Sequence, residues 1–295
     1  MGQLALDQLN EQPASSFVEG LGGVFEHAPW IAAAAAARRP FADVAGLFAA
    51  MRDAVEGAGD ERRLDLLRGH PELAGAAARS GNMTAESVGE QSGAGLSGLS
   101  DERVAVFEDL NARYRDRFGF PFIICVRRHG RDSILAEFRR RLALDAEEER
   151  ATALGEVYRI AALRLDGLVE GPDRLPVAGR LSTHVLDIAS GRPAAGVAVE
   201  LVELTADGER PVARAVTNAG GRTDKPLVHG RPVPRATYEL RFAVGAYFGA
   251  GRGRAEAGPP FLDVVPVRFG VAEPEAHYHV PLVASPWAYS TYRGS

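Results

Sequence analysis

Apolar side chains recur every three or four positions along two stretches in the first half of the chain. Val104, Phe107, Leu110, Tyr114 and Phe118 form one set; Leu154, Val157, Ala161, Leu165 and Leu168 form the other. That spacing gathers each set on one face of an α-helix. Ser100 followed by Asp101 and Glu102 predicts a capped helix start with acids in the first turn. Beyond Gly171-Pro172-Asp173 the period drops to two. Val197, Val199 and Leu201 alternate with their neighbours, as do Tyr238, Leu240, Phe242 and Val244, and again Val265, Val267, Phe269 and Val271. Alternation of this kind predicts strands with one buried face, and Gly and Pro punctuate the gaps between them. The chain is therefore expected to be multidomain. An all-α helical domain should span residues 1–170, a linker rich in Gly, Pro and charge residues 171–179, and an all-β sandwich residues 180–295.

Composition narrows the function classes. A chain of 295 residues with 46% hydrophobic and 25% charged side chains suits two globular domains and excludes a disordered or fibrous protein. The alanine-dominated run Ile31–Ala37 is far short of the roughly 18 residues of a membrane span, and no signal-peptide pattern opens the chain. A cytoplasmic protein with no membrane partner is the expectation. The single Cys125 excludes an internal disulfide and a cysteine-rich zinc site. Residues 1–172 carry 20 Arg against 27 acids, whereas residues 173–295 carry 14 basic and 12 acidic side chains. Neither half has a dense patch of one sign, so nucleic acid is not expected as a partner.

Two imidazoles stand out in the β half. In His277-Tyr278-His279-Val280-Pro281-Leu282, parity places Tyr278, Val280 and Leu282 on one face and both histidines on the other. That outer face is either ordinary surface or a site. His-x-His could also form part of a metal set, but no third ligand lies at a telling spacing. Three separated motifs here resemble the transthyretin-related hydroxyisourate hydrolases. They are Leu181-Ser182-Thr183-His184-Val185-Leu186-Asp187, then Thr217-Asn218 with Gly221-Arg222-Thr223-Asp224, and His277–Leu282 with the ending Tyr292-Arg293-Gly294-Ser295. The resemblance implies a transthyretin-like sandwich that opens the ring of 5-hydroxyisourate with water. It implies His184, Arg222, His279 and Ser295 as catalytic residues, with Tyr292 beside the substrate. An imidazole of near-neutral pKa suits activation of water, and an arginine can face a developing oxyanion without titrating. A transthyretin-like binding or scaffold module is the competing reading of this half.

In the α half, His70 follows a helical stretch. It is either a cation meeting the helix C-terminus or an acid–base residue. Arg164 lies within the apolar stripe of its own helix, so it must be bridged to a carboxylate or face an anionic ligand. Glu26-His27-Ala28-Pro29-Trp30, His70-Pro71-Glu72-Leu73-Ala74, Ser87 to Leu96, Asn111 with Tyr114, and Phe118–Ile123 resemble the oxo-hydroxy-carboxy-ureidoimidazoline (OHCU) decarboxylases. The resemblance implies a site that works without metal or organic cofactor. It implies His70 and Glu90 as the catalytic pair, with the carboxylate raising and orienting the imidazole. It further implies that Pro71, Ser87, Gln91, Arg164 and the backbone around Phe122, Ile123 and Ile124 hold the substrate.

Gly93-Ala94-Gly95-Leu96-Ser97-Gly98 fits a dinucleotide-binding spacing, but neither a preceding strand nor a βαβ pattern accompanies it. Asn82-Met83-Thr84 fits a glycosylation sequon in a chain without a secretory signal. Cys125, in an apolar run, reads as a small core residue. The two resemblances together imply a bifunctional enzyme of urate degradation. It would convert 5-hydroxyisourate to OHCU and OHCU to (S)-allantoin, with these small molecules as its partners. The assembly expected from the resemblance is a homotetramer.

Overall fold

A computed structural model of the chain describes residues 3–74, 85–93, 96, 99–250 and 258–294. Ser295, the sequon Asn82–Thr84 and most of the Gly93–Gly98 run lie outside the described residues. The chain divides into two compact units. The first comprises Met1–Arg127 and Ile134–Val177; the second comprises Arg128–Ser133 and Ala178–Ser295.

The first unit is helical. Its described helices are α1 (Leu6–Glu11), α2 (Ala14–Leu21), α3 (Pro29–Ala36), α4 (Val44–Glu56), α5 (Asp60–Arg68), α6 (Ala85–Gly93), α7 (Asp101–Phe118), α8 (Arg131–Arg141) and α9 (Ala146–Leu168). α8 begins in the short segment that belongs to the second unit. Local chemistry sets several of the ends. The side chains of Asp43, Ser100 and Asp145 accept hydrogen bonds from the first-turn N–H groups of α4, α7 and α9, satisfying donors that a helix start leaves unpaired. Gly119 stops α7 in the left-handed conformation, with φ of 75°. The predicted stripes face inward. Phe107, Leu110 and Tyr114 of α7 and Val157, Ala161 and Leu165 of α9 join a core with Phe17, Ile31, Leu47, Met51 and Phe138. Two residues of β1 (Leu4–Ala5) pair in parallel with β2 (Val169–Glu170), tying the start of the unit to the end of α9.

The second unit is built of strands: β3 (Gly179–Ser182), β4 (Val185–Asp187), β5 (Arg192–Pro193), β6 (Ala198–Thr205), β7 (Gly208–Val216), β8 (Val228–Arg231), β9 (Ala236–Phe242), β10 (Val265–Val271), β11 (His277–His279), β12 (Leu282–Ala284) and β13 (Tyr289–Thr291). An antiparallel sheet runs β10-β9-β6-β7; the others run β11-β3-β8 and β13-β12-β4-β5. Val199, Leu201, Leu240, Phe242 and Val265 share one core with Leu181, Val185, Tyr278 and Leu282. Val244 departs from its predicted alternation. The strand ends at Phe242, and Val244 is buried as the first residue of the helix α10 (Val244–Ala250). A buried apolar side chain two positions on serves a strand or a helix start equally, so alternation could not distinguish them. No helix among the described residues is long and apolar enough to cross a membrane.

The ladder that carries the histidines has a break in it. β3 and β11 run parallel with His277 opposite Arg180 and His279 opposite Ser182. β4 and β12 then run parallel with Leu282 opposite Val185. Between them Val280 N–H donates to Ser182 O, and Leu282 N–H donates to His184 O. Pro281, which has no N–H, sits at the step.

Candidate active sites

In the helical unit, all nine positions named from sequence line one pocket: His70, Pro71, Ser87, Glu90, Gln91, Phe122, Ile123, Ile124 and Arg164. Arg164 comes from the last turns of α9, Ser87, Glu90 and Gln91 from α6, and His70 from the turn after α5. The Gln91 amide grips that turn, accepting from Ala74 N–H at 3.1 Å and donating to Glu72 O at 3.2 Å. Segment 120–125 has no regular hydrogen-bonding pattern, so side chains supply partners for its backbone. Arg141 donates to Ile123 O at 2.7 Å, and Glu156 accepts from Cys125 N–H at 2.8 Å. Arg141 is itself buried and bridged to the buried Glu149, which also accepts from Tyr114.

Two expectations for this pocket need correcting. Glu90 does not pair with the imidazole. Its two oxygens take the side of the Arg164 guanidinium, Nε and Nη2 each at 3.0 Å. Arg164 also donates to Glu26 at 2.7 Å and to the Ser87 hydroxyl at 3.1 Å. Every guanidinium nitrogen is thus engaged by protein, and Arg164 is bridged to two carboxylates at once. Burial pulls its pKa down, but the hydrogen bonds and charge of Glu90 and Glu26 outweigh this and raise it. Nor is His70 a cation at a helix end. α5 ends at Arg68, and the His70 Nδ1 sits 2.9 Å from Leu66 O. A carbonyl only accepts, so Nδ1 carries the proton in this contact. Burial depresses the His70 pKa to about 4, against weaker raising effects of Leu66 and Glu26. At neutral pH the ring is therefore neutral, with its Nε2 lone pair unprotonated.

Glu26 is the partner that sequence reasoning passed over. It is buried, bonded to Arg164 and Ser87, and precedes His27, whose φ of 51° is unusual for a non-glycine residue. Its position within a quoted motif was a signal, but its charge has no meaning until α9 brings Arg164 alongside.

In the β unit, Ser182, Arg222 and His279 line a pocket with Arg180, Thr183 and His277. His184 stacks on His279, with ring centroids 4.9 Å apart and planes 19° apart. Its Nδ1 lies 2.8 Å from His279 Nε2. His279 Nδ1 in turn meets the Ser182 hydroxyl at 2.9 Å, and that hydroxyl meets His277 Nε2 at 2.8 Å. Burial lowers the pKa of all three histidines. His279 is held near 4 by burial and by the charges of His184, Arg222, His277 and Arg180. Parity on the ladder accounts for the grouping, since Arg180 and Ser182 on β3 share the face of His277 and His279 on β11.

Two glycines bring the remaining segments close. Gly221, at φ of 69°, lets the turn before Arg222 approach β4, where a Cβ would stand 2.4 Å from Val185 O. A backbone bridge then pairs His184 with Arg222. Gly294 N–H donates to His279 O at 2.9 Å, and a Cβ there would stand 2.7 Å from the imidazole Cδ2. The chain end is thereby laid against His279. Tyr292 is 55% exposed. Among the described residues no group of three or more His, Cys, Asp or Glu is placed to hold a metal ion.

A helical unit with a neutral imidazole beside an arginine-bridged carboxylate pair, and a sandwich with linked histidines beside arginine, define a chain carrying two hydrolytic or lyase-type sites. The profile of the OHCU decarboxylase family matches residues 10–166, and that of the HIUase/transthyretin family matches residues 181–294. The chain belongs to the OHCU decarboxylase family through its first part and to the HIUase/transthyretin family through its second. It is 56% identical over 115 residues to the 5-hydroxyisourate hydrolase of Deinococcus radiodurans, covering 39% of this chain and 95% of that protein. It is 43% identical over 165 residues to the 2-oxo-4-hydroxy-4-carboxy-5-ureidoimidazoline decarboxylase of Haloferax volcanii, covering 56% of this chain and 96% of that one. The crystal structure of an (S)-allantoin synthase is similar along the whole length. The identity is 34%, the coverage 99% of this chain and 100% of that one, and the TM-score 0.52.

Proposed function

We propose that the chain is a bifunctional enzyme of urate degradation. The β unit hydrolyses 5-hydroxyisourate to OHCU, and the helical unit decarboxylates OHCU stereospecifically to (S)-allantoin. The observation that carries this reading is the presence of two pockets within the matching family regions, one lined by the whole decarboxylase set and the other by Arg222 and His279, with His184 hydrogen-bonded to His279.

For hydrolysis, an imidazole of the His184–His279 pair takes the proton of the attacking water, and Arg222 faces the oxyanion. Ser295 and Tyr292 complete the proposed set, and Gly294 N–H donates to His279 O beside them in the chain. For decarboxylation, the neutral His70 takes the proton of the substrate 4-hydroxyl through Nε2 as the C–CO2 bond breaks, and delivers that proton to one face of the resulting carbanion while the hydroxyl oxygen becomes a carbonyl. Arg164 holds Glu90 and Glu26 in place, while Ser87, Gln91 and the backbone at Phe122–Ile124 frame the substrate. The working halves are residues 1–170 and 180–295, joined by 171–179. Ile188, Val216, Phe261, Trp287, Tyr289 and Tyr292 are large exposed apolar side chains of the β unit. They support self-association, and the proposed working form is a homotetramer in the cytoplasm.

The test supplies 5-hydroxyisourate to the full chain and follows loss of substrate absorbance together with circular dichroism of the product. Fast loss with one allantoin enantiomer is expected. Slow loss at the spontaneous rate, or racemic allantoin, would overturn one or both assignments.

A further inference from the structure

The linked imidazoles of the β unit do not stop at His279. Ser182 sits between His279 Nδ1 and His277 Nε2, at 2.9 and 2.8 Å, and His277 is exposed. Resting on the hydrolase reading above, we propose that Ser182 and His277 complete a proton relay from His184 to solvent, with Ser182 as a positioning residue and His277 as the outer port.

The bonds restrict the tautomers. Each imidazole–imidazole contact holds one proton, and a hydroxyl that donates to one ring accepts from the other. Two arrangements satisfy every contact with all three rings neutral. In the first, His184 Nδ1–H donates to His279 Nε2, His279 Nδ1–H donates to Ser182, and the Ser182 hydroxyl donates to His277 Nε2. His184 Nε2 then carries a bare lone pair, and His277 Nδ1 carries a proton. In the second, every bond is reversed, so His184 Nε2 is protonated and His277 Nδ1 is bare.

Hydrolysis uses both. Water attacks the ring carbonyl while His184 Nε2 takes one of its protons. The three inner protons each shift one bond outward, and His277 Nδ1–H leaves to solvent. When the ring C–N bond breaks, His184 Nε2–H protonates the departing nitrogen, the shifts run backwards, and His277 Nδ1 takes a proton from solvent. The relay ends as it began. The new carboxylic acid ionises, so each turnover releases one proton net, as ring opening to a carboxylate and a weakly basic ureido nitrogen requires.

The surroundings favour a relay over storage of the proton. Arg180 and Arg222 line the same pocket; Asp224 lines it too but accepts from the Asn218 amide, and among the described residues no carboxylate accepts a hydrogen bond from any of the three rings. An imidazolium here would face like charge as well as burial, which is why the three pKa values fall. Passing the proton along leaves each ring neutral.

The test measures hydroxyisourate hydrolysis by the full chain at low buffer concentration, with and without added imidazole. His277→Ala should lower kcat about tenfold with KM unchanged, less than the ~100-fold or more expected for a group that itself takes the substrate's proton. Added imidazole should restore it. Ser182→Ala should lose activity that imidazole does not restore, and Ser182→Thr, which keeps the hydroxyl, should stay within about twofold of the parent. A parent-like circular dichroism spectrum and melting transition of the β unit report that each variant is folded. Parent-like kcat in His277→Ala, or a loss that imidazole leaves unchanged, would overturn the relay while leaving the hydrolase reading intact. A parent chain that fails to speed hydroxyisourate loss would end both.

Discussion

Arg164 gathers the charged groups of the helical site, bonding Glu90, Glu26 and Ser87 at once. Its side chain is 8% exposed, and it neutralises Glu26, at 1%, and Glu90, at 16%. Removing it with Arg164→Met leaves two largely buried carboxylates uncompensated. The expected cost is about 3–5 kcal/mol, read by chemical denaturation. Arg164→Lys keeps the charge but loses the flat fork that meets Glu90 side-on. Decarboxylation should fall even where the variant is folded, and an unchanged rate would show that the geometry of Glu90 is immaterial.

His70 has a different signature because its ring is neutral. Its folded pKa, about 4, lies below the ordinary histidine value of 6.5, so the unfolded chain binds more protons between those limits. Stability is therefore full above about pH 6.5 and declines as the pH falls toward 4. His70→Asn should flatten that part of the acid-unfolding profile. It should also replace one allantoin enantiomer with a slowly formed racemate. Enantiopure product at the parent rate would remove His70 from the chemistry.

At the scale of elements, the β-unit site depends on how closely strands and turns approach. Gly294 lets the final segment lie against the His279 ring, where a Cβ would fall at 2.7 Å. Gly294→Ala should force that segment away and depress hydroxyisourate turnover, with decarboxylation of supplied OHCU unaffected. Full hydrolysis by this variant would show that the terminus need not be held at His279. The helical site depends instead on an irregular segment whose backbone is held by Arg141 and Glu156. Neither residue shows a pattern in sequence that marks this use, since their partners lie 18 and 31 positions away.

For the whole molecule, two pockets with separate residue sets predict separable activities. His279→Ala should abolish hydrolysis while decarboxylation of supplied OHCU continues at the parent rate. Coupled loss of both in a folded variant would contradict two independent sites. The exposed apolar side chains of the β unit predict association. Light scattering at assay concentration should report a tetramer, and an active monomer would exclude it.

Periodicity was sufficient for the two fold classes. A 3.6-residue stripe or a two-residue alternation is a local consequence of which face is buried, and Ser100 or Gly119 acts within a turn of its own position. The chemistry-bearing residue types were legible as well, because motifs list side chains. Their pairing was not. From sequence, Glu90 belonged with His70, yet the fold gives it to Arg164, which lies 74 positions on. Ser182 is an ordinary strand residue until parallel register sets it opposite His279, 97 positions away. Charge state followed the same division. Burial and neighbouring arginines are properties of the assembled core, so only the tertiary structure could decide that His70 and His279 are neutral.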